Sequence, residues 1–192
     1  MSANLEILIK ELQCDARLNK DMHFHAAERK NSANKYMGIT VVLINVIIGS
    51  SLIELMREDI FRKALVSVIS FVAAAMAAIQ TFFNYSKDIE NHRKIGNMYL
   101  ELAREADNLL GKLFDDFISE KEARNGYDAL LKKYHSINKE GEMALPSKKD
   151  FEQAFAKNKD AKDAVRKMKE GLHQQLGGKP ATSVETSSYQ DV

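Results

Sequence analysis

Residues 36–53, YMGITVVLINVIIGSSLI, contain no charged side chain over 18 positions. As a helix that rises about 1.5 Å per residue, this run reaches about 27 Å, close to the thickness of a bilayer's hydrocarbon core. Residues 64–86, ALVSVISFVAAAMAAIQTFFNYS, are uncharged over 23 positions, and only ten residues separate the two runs. The pattern predicts two membrane spans that form a tight hairpin.

Polar residues within the two runs leave a second interpretation open. Asn45 lies in the first run, and Gln80, Thr81 and Asn84 lie near the end of the second. A soluble bundle with a buried central hairpin would have a similar pattern, because helices buried on all sides are also apolar all round. The length of both runs in so small a chain favours the membrane hairpin.

The distribution of charge predicts the orientation of this hairpin. The 192-residue chain has 28 Lys and Arg against 27 Asp and Glu, so nothing indicates a basic face for nucleic acid. Nine basic residues flank the outer ends of the two runs: Arg17, Lys20, Arg29, Lys30, Lys35, Lys87, Arg93, Lys94 and Arg104. Three lie between the runs: Arg57, Arg62 and Lys63. This bias predicts a multi-pass protein of the cytoplasmic (inner) membrane with both termini in the cytoplasm.

The flanks of the hairpin are predicted to form amphipathic cytosolic helices, because apolar residues recur there at three- and four-residue spacing. Ser147 follows Pro146 and is a predicted N-cap for the last of these helices. The predicted fold is all-α: an integral membrane two-helix hairpin with long amphipathic cytosolic helices that form a helical bundle. The predicted division is an N-terminal helix (1–35), the transmembrane hairpin (36–86), a cytosolic helical region (87–170) and a disordered tail (171–192).

The stripes of the cytosolic helices include candidate assembly residues. Tyr99, Leu102 and Leu109 lie on one stripe. A second pattern repeats at spacings of 4, 3, 4 and 3 and predicts another cytosolic helix packed back against the first: Ala123, Tyr127, Leu130, Tyr134 and Ile137. These stripes are extensive for a single hairpin to leave in water. They predict that the cytosolic helices self-associate into a homo-oligomer.

One face of the second apolar run is small or polar along its whole length. Its members follow one another at spacings of 3, 4, 3, 4 and 3: Ser67, Ser70, Ala74, Ala77, Thr81 and Asn84. Such a stripe is typical of close helix packing, since small residues let backbones approach, and also of a face that lines an aqueous lumen. Both interpretations need a partner helix, as does the Asn45 amide near the middle of the first run.

No constellation of catalytic residues or metal ligands stands out. His23 and His25 are two positions apart and so point to different faces of a helix, and the other three histidines are scattered. We therefore expect solvated surface histidines, no catalytic residue, no metal and no cofactor. The single Cys14 cannot form an intrachain disulfide. A membrane enzyme is accordingly the least favoured hypothesis.

Several segments together resemble the SLATT domains. The basic lead-in from Glu28 to Asn31, the two-span hairpin and the run HRKIGNMYLELARE (92–105) are similar to that family, and Tyr99 and Leu102 match its Tyr-x-x-Leu pattern. With Tyr127 and the stretch that contains Pro146, Ser147 and Asp150, the likeness covers about residues 5–165.

The resemblance implies a pore-forming effector of prokaryotic conflict systems that damages its own cell's membrane to stop phage. It also implies a nucleotide-second-messenger synthase or nucleotide sensor, encoded nearby, as a partner. The leading hypothesis is thus a non-enzymatic, oligomeric membrane effector that forms or gates a pore. The alternative is a non-conducting, membrane-anchored helical scaffold that recruits a cytosolic partner.

Overall fold

The first apolar run is the C-terminal part of one long helix, α1 (Ala3–Glu54). No proline precedes Pro146, so nothing in the sequence forces a break at the predicted boundary near residue 35. The computed structural model describes the backbone of residues 3–54, 60–83 and 85–175, and their side chains apart from 48–54, 61–63, 66, 80–83 and 175.

Four further helices follow: α2 (Ile60–Phe83), α3 (Tyr85–Phe114), α4 (Glu120–Gly141) and α5 (Lys148–Gln175). All regular structure in the described ranges is helical, which confirms the all-α class. The tail predicted from Gly171 is wrong at its start, because α5 continues to Gln175. One glycine costs a helix only about 1 kcal/mol, and the residues after it are compatible with a helix. Residues 176–192 of the predicted tail lie outside the described residues.

Capping boxes begin both of the last two helices. Ser147 is confirmed as the N-cap of α5: its backbone N–H and hydroxyl donate to Asp150 Oδ2 at 2.8 and 2.7 Å. Ser119 and Glu122 form the same arrangement at α4, where the Ser119 hydroxyl accepts from the Glu122 N–H. Each box satisfies backbone donors that a helix start would otherwise leave without partners.

The described chain divides into two compact units. Unit 1 combines α1 up to Met22 with the chain from Ile95 onward, and unit 2 comprises His23–Lys94. The core of unit 1 joins α1, α3 and α4, which confirms that the predicted stripes pack on one another. Its buried members include Leu5, Ile9, Leu12, Ala16, Ile95, Tyr99, Leu102, Ala106, Leu110, Leu113, Ala123, Leu130 and Ile137.

Ion pairs align α5 antiparallel to α1 within unit 1. Lys169 pairs with Glu11 at 3.0 Å, Lys162 pairs with Asp15 at 3.1 Å, and Lys157 pairs with Asp21 at 2.9 Å. Along these three pairs, the residue numbers rise on α1 and fall on α5, as they do in antiparallel helices. The start of α5 therefore lies toward Asp21, and its end lies toward Glu11.

Asp21 is the most buried of these carboxylates, at 4% exposed, and it also accepts a hydrogen bond from Asn158 Nδ2 at 2.9 Å. Burial alone would raise the pKa of Asp21, but the hydrogen bonds from Asn158, Lys157 and Lys20 outweigh it and lower the pKa below its usual range. The ionised carboxylate thus stabilises the folded state above its unfolded pKa of about 3.9. This stabilisation is lost as pH falls through the lowered pKa.

We expect Asp21→Asn to reduce the free energy of unfolding of unit 1 by about 1–3 kcal/mol at neutral pH, because it removes the charge that Lys157 faces. The difference in unfolding free energy between the variant and the wild type should become smaller in acid, where the wild-type carboxylate is protonated. Denaturant unfolding at neutral pH and below about pH 3 tests this. Asp160→Asn, at an exposed position on α5, is the matched control. If this difference does not change with pH, the ionised Asp21 carboxylate is not what stabilises unit 1.

Candidate functional site

Each helix of the predicted hairpin has one covered face within unit 2. On α2, Ala73 is buried, with Ile69 and Met76 half-buried on the same face. On α1, Val41 and Ile44 are half-buried among exposed neighbours. We infer that these two faces pack against each other, because both lie in the same compact unit and both follow helical spacing.

Two contacts within unit 2 show that α1 and α3 run antiparallel. Lys30 Nζ lies 2.6 Å from Asp88 Oδ2, and His23 Nδ1 lies 3.2 Å from His92 Nδ1, so the numbers run in opposite directions along the two helices.

The small and polar stripe of α2 does not coincide with this covered face. Ser67, Ala74 and Ala77 are exposed, and Ser70 is half-buried at the margin. The side chain of Thr81 and the whole of Asn84 lie outside the described residues. In the described part of the hairpin, the stripe is therefore mostly exposed, and its predicted packing or lumen role stays a prediction.

Asn45 is likewise exposed on α1. The part of the chain that the structure describes offers no hydrogen-bond partner to its amide, although the sequence predicted a contact with another helix. Val42, one turn earlier, is exposed as well. The role predicted for Asn45 stays a prediction.

Asn45 and the stripe lie on the same side of the hairpin. Asn45 follows half-buried Ile44 by one position, and Ala74 follows buried Ala73 by one position. At about 100° per residue, such an offset turns each side chain away from its covered face by the same angle. When two antiparallel helices face each other, side chains that follow the facing residues by one position lie on the same side of the pair. The hairpin consequently has a small and polar side.

The remaining surface of the hairpin is apolar and exposed. Phe71 is 75% exposed and Val46 is 63% exposed, on faces away from the stripe. Other exposed apolar residues of unit 2 are Tyr36, Ile39, Val42, Leu43, Ile47, Ile60, Leu65, Val68, Val72 and Ile79. Soluble monomers rarely expose a contiguous apolar area of this kind.

Within the described residues, no helix has both the length and the sustained hydropathy of a membrane span. The predicted spans, 36–53 and 64–86, include the side chains of 48–53, 66 and 80–83 and the whole of residue 84. These lie outside the described part of the chain.

The candidate assembly residues pack within a single chain. Tyr99 and Leu102 are buried in unit 1, and the Tyr99 hydroxyl donates to Asn138 Oδ1 at 2.5 Å. Leu109 and Tyr127 are half-buried against the same core. A Cβ at Gly126 would lie 2.8 Å from Leu109 Cδ1, so glycine lets α4 approach α3 closely here. The apolar stripes are therefore shielded from water within a single chain, without a second copy. An assembly role for these residues stays a prediction.

The expectation that all histidines are solvated is wrong for two of them. His23 and His92 are 5% and 2% exposed, and their Nδ1 atoms lie 3.2 Å apart. A hydrogen bond between two ring nitrogens requires one donor and one acceptor, so at least one ring is neutral. The sequence did contain a signal. His23 continues the heptad of Ile9 and Ala16, and His92 lies three residues before Ile95 on the α3 stripe.

The described residues contain no group of three His, Cys, Asp or Glu that could hold a metal ion. Cys14 is buried in unit 1, and burial raises the pKa of its thiol. The absence of a catalytic or cofactor site stays a prediction, and the surfaces of the hairpin are the candidate functional site.

The family described as "SMODS and SLOG-associating 2TM effector domain family 4" matches residues 14–173. The matched segment covers most of both units, including the hairpin and all five helices at least in part. No curated protein and no solved structure matches significantly.

Proposed function

This chain belongs to the SLATT family of SMODS and SLOG-associating 2TM effector domains, and on that premise we propose an oligomeric effector that forms or gates a pore in the cytoplasmic membrane. The observation that carries the proposal is the small and polar side of the hairpin, which is exposed in the single chain. The effector is not an enzyme. Its setting is an antiphage or abortive-infection system, in which a nucleotide signal or a nearby-encoded synthase or sensor triggers it.

The apolar faces of the hairpin support insertion into a bilayer. Phe71 and Val46 represent a surface that is costly to leave in water and favourable in lipid. The two helices satisfy their backbone hydrogen bonds internally, as a spanning segment must. Insertion would therefore remove the exposed apolar area without any change in helical structure.

A pore requires several copies, because two helices cannot enclose water. In a ring of hairpins, the side that carries Asn45, Ala74 and Ala77 faces either the lumen or the neighbouring hairpin, while Phe71 and Val46 face lipid. An amide in the membrane is stabilised by water in a lumen or by a hydrogen bond across helices, a contact worth about 1 kcal/mol. Lipid alone offers neither.

Topology is the first test of this proposal. The nine-to-three bias of basic residues predicts that Lys121 lies in the cytoplasm and that Glu58, in the connection between the spans, lies outside. In intact cells an impermeant thiol reagent should label Glu58→Cys and should not label Lys121→Cys until the cells are opened. Cys14→Ala removes the background thiol. Labelling of both positions from outside would rule out the hairpin topology.

The scaffold is the second candidate function, because the same exposed side could serve only to pack helices. Ion efflux from liposomes that contain the purified full-length chain separates the two. A pore releases ions once the chain is assembled and supplied with its trigger. Liposomes that stay tight under these conditions would favour the scaffold.

A further inference from the structure

Helix α1 is buried on two opposite sides within unit 1. Ile9 and Ala16 lie in the core that α1 shares with α3 and α4. Ile7 and Cys14 each precede one of them by two positions, and both are buried as well. Two positions correspond to about 200° around a helix, so Ile7 and Cys14 lie on the side of α1 opposite the core. This outer face of α1 comprises four buried residues: Ile7, Cys14, Leu18 and Asp21.

Helix α5 covers the outer face of α1. Ile7 lines a shallow groove together with Met168 and Leu172 of α5, and Asn158 of α5 donates a hydrogen bond to Asp21. The residues of α5 that are buried or half-buried along this contact follow one another at spacings of 3, 4, 3, 4, 3 and 4: Phe151, Ala154, Asn158, Ala161, Val165, Met168 and Leu172. One face of α5 therefore lies along α1 over most of its length.

The apolar part of this contact is small. Among residues 148–174, all of which the structure describes, Ala154 is the only buried apolar side chain, while Val165 and Met168 are half-buried. The core of α1, α3 and α4 instead buries Leu102 and Ile137 completely. Because hydrophobic stabilisation grows with the apolar area that is buried, α5 is held less firmly than α3 and α4 are.

Ion pairs between the two helices all have the same polarity. The acidic partner is on α1 and the lysine is on α5 in each: Glu11 with Lys169, Asp15 with Lys162, and Asp21 with Lys157. Basic residues of α1 near this contact pair within α1 or with α3: Lys10 with Glu6, Lys20 with Asp21, and Arg17 with Asp107. The pairs at Glu11 and Asp15 are partly exposed, so each contributes about 1 kcal/mol or less and is weakened by salt.

We propose that α5 is a releasable, salt-sensitive strap. It leaves the outer face of α1 as an intact helix and turns about the loop 142–147, while α1, α3 and α4 stay packed. The Ser147 capping box and the pairs of Arg166 with Asp163 and Glu170 stabilise α5 as a helix by itself. Release opens the outer face of α1 to water. The inference concerns unit 1 alone and does not depend on the proposed function.

The thiol of Cys14 reports this release, because it is the single cysteine of the protein and lies on the outer face that α5 covers. The test measures how fast a thiol reagent labels the full-length chain in mild detergent, relative to the unfolded chain in the same buffer. Labelling should be several-fold faster at about 1 M NaCl than at about 0.01 M NaCl, since salt screens the ion pairs that hold α5.

Reversal of one charge should have the same effect at low salt. Lys162→Glu places a carboxylate opposite Asp15 and should speed labelling of Cys14 several-fold. The positive charge of Lys162 lowers the pKa of Cys14, so its loss would by itself slow the reaction of the thiol. Lys159→Glu, at an exposed position of α5, is the matched control and should leave the rate unchanged. Asp15→Lys combined with Lys162→Glu should restore the slow rate.

Leu102→Ala separates release of α5 from unfolding of unit 1. Leu102 lies in the core, which contains no described residue of α5, so this change should leave the labelling rate close to that of the wild type. If Cys14 is reached only when unit 1 unfolds, Leu102→Ala should speed labelling by about 30-fold or more. That result, or an unchanged rate in Lys162→Glu, would overturn the inference.

Discussion

Leu102→Ala is expected to destabilise unit 1 by about 2–5 kcal/mol, the cost of a cavity at a fully buried leucine. Leu102 is 0% exposed and lies in the cluster that joins α1, α3 and α4. A loss of this size is a large fraction of the stability of a small domain. The full-length chain in mild detergent should unfold at a clearly lower denaturant concentration, as followed by tyrosine fluorescence, since the protein has no Trp.

The matched control is Leu145→Ala, which makes the same chemical change at a side chain that is 70% exposed. It should change the free energy of unfolding by less than about 0.5 kcal/mol. The comparison also tests the role that the sequence assigned to Leu102. If Leu102→Ala reduces the size of the oligomer while the unfolding midpoint stays the same, Leu102 is an assembly residue and the intrachain core does not depend on it.

Helical periodicity was sufficient to predict the helices of unit 1 and their mutual packing. The spacing of Ala123, Leu130 and Ile137 predicted a helix that packs back on α3, and all three are buried in one core. Ser147 was predictable as an N-cap because Pro146 precedes it and Asp150 completes the box. These features depend on short stretches of sequence, where local preferences and the helical repeat agree.

The partners of each apolar stripe could not be predicted in the same way. The spacing of Tyr99 and Leu102 indicates a helix face that packs against another helix. The spacing does not show whether that helix belongs to the same chain. In this structure α1 and α4 of the same chain pack against that face. The pairing of His23 with His92 was missed for a related reason, because residues 69 positions apart meet only once α1 and α3 are aligned.

The two units treat their apolar residues differently, and this contrast bears on function. Unit 1 buries its stripes in a core, as a domain in water does. Within the described part of the predicted hairpin, unit 2 buries Ala73 but leaves Phe71 and Val46 exposed. A chain that buried every stripe within itself would have no need of lipid or further copies. The exposed surface of the hairpin is therefore where both are expected to act.

Ala77→Leu together with Ala74→Leu is expected to abolish most ion flux while the protein still inserts and assembles. Both alanines lie on the small and polar side of the hairpin, and both are exposed in the single chain. If this side lines the lumen, two isobutyl groups per copy narrow the lumen and make its wall apolar enough to exclude water. The measurement is paired: oligomer size and liposome ion efflux on the same preparation.

Neighbouring alanines of α2 provide the controls. Ala75→Leu adds the same bulk on the side of α2 that carries Phe71 and Val72, away from the stripe, where lipid accommodates it, so flux and assembly should both match the wild type. Ala73→Leu adds it at the buried face and should destabilise the hairpin by about 1–3 kcal/mol through overpacking. If the changes at 74 and 77 dissociate the oligomer instead, the stripe is a packing seam between hairpins. Wild-type liposomes that remain tight with an assembled, triggered protein would leave the scaffold as the function that fits.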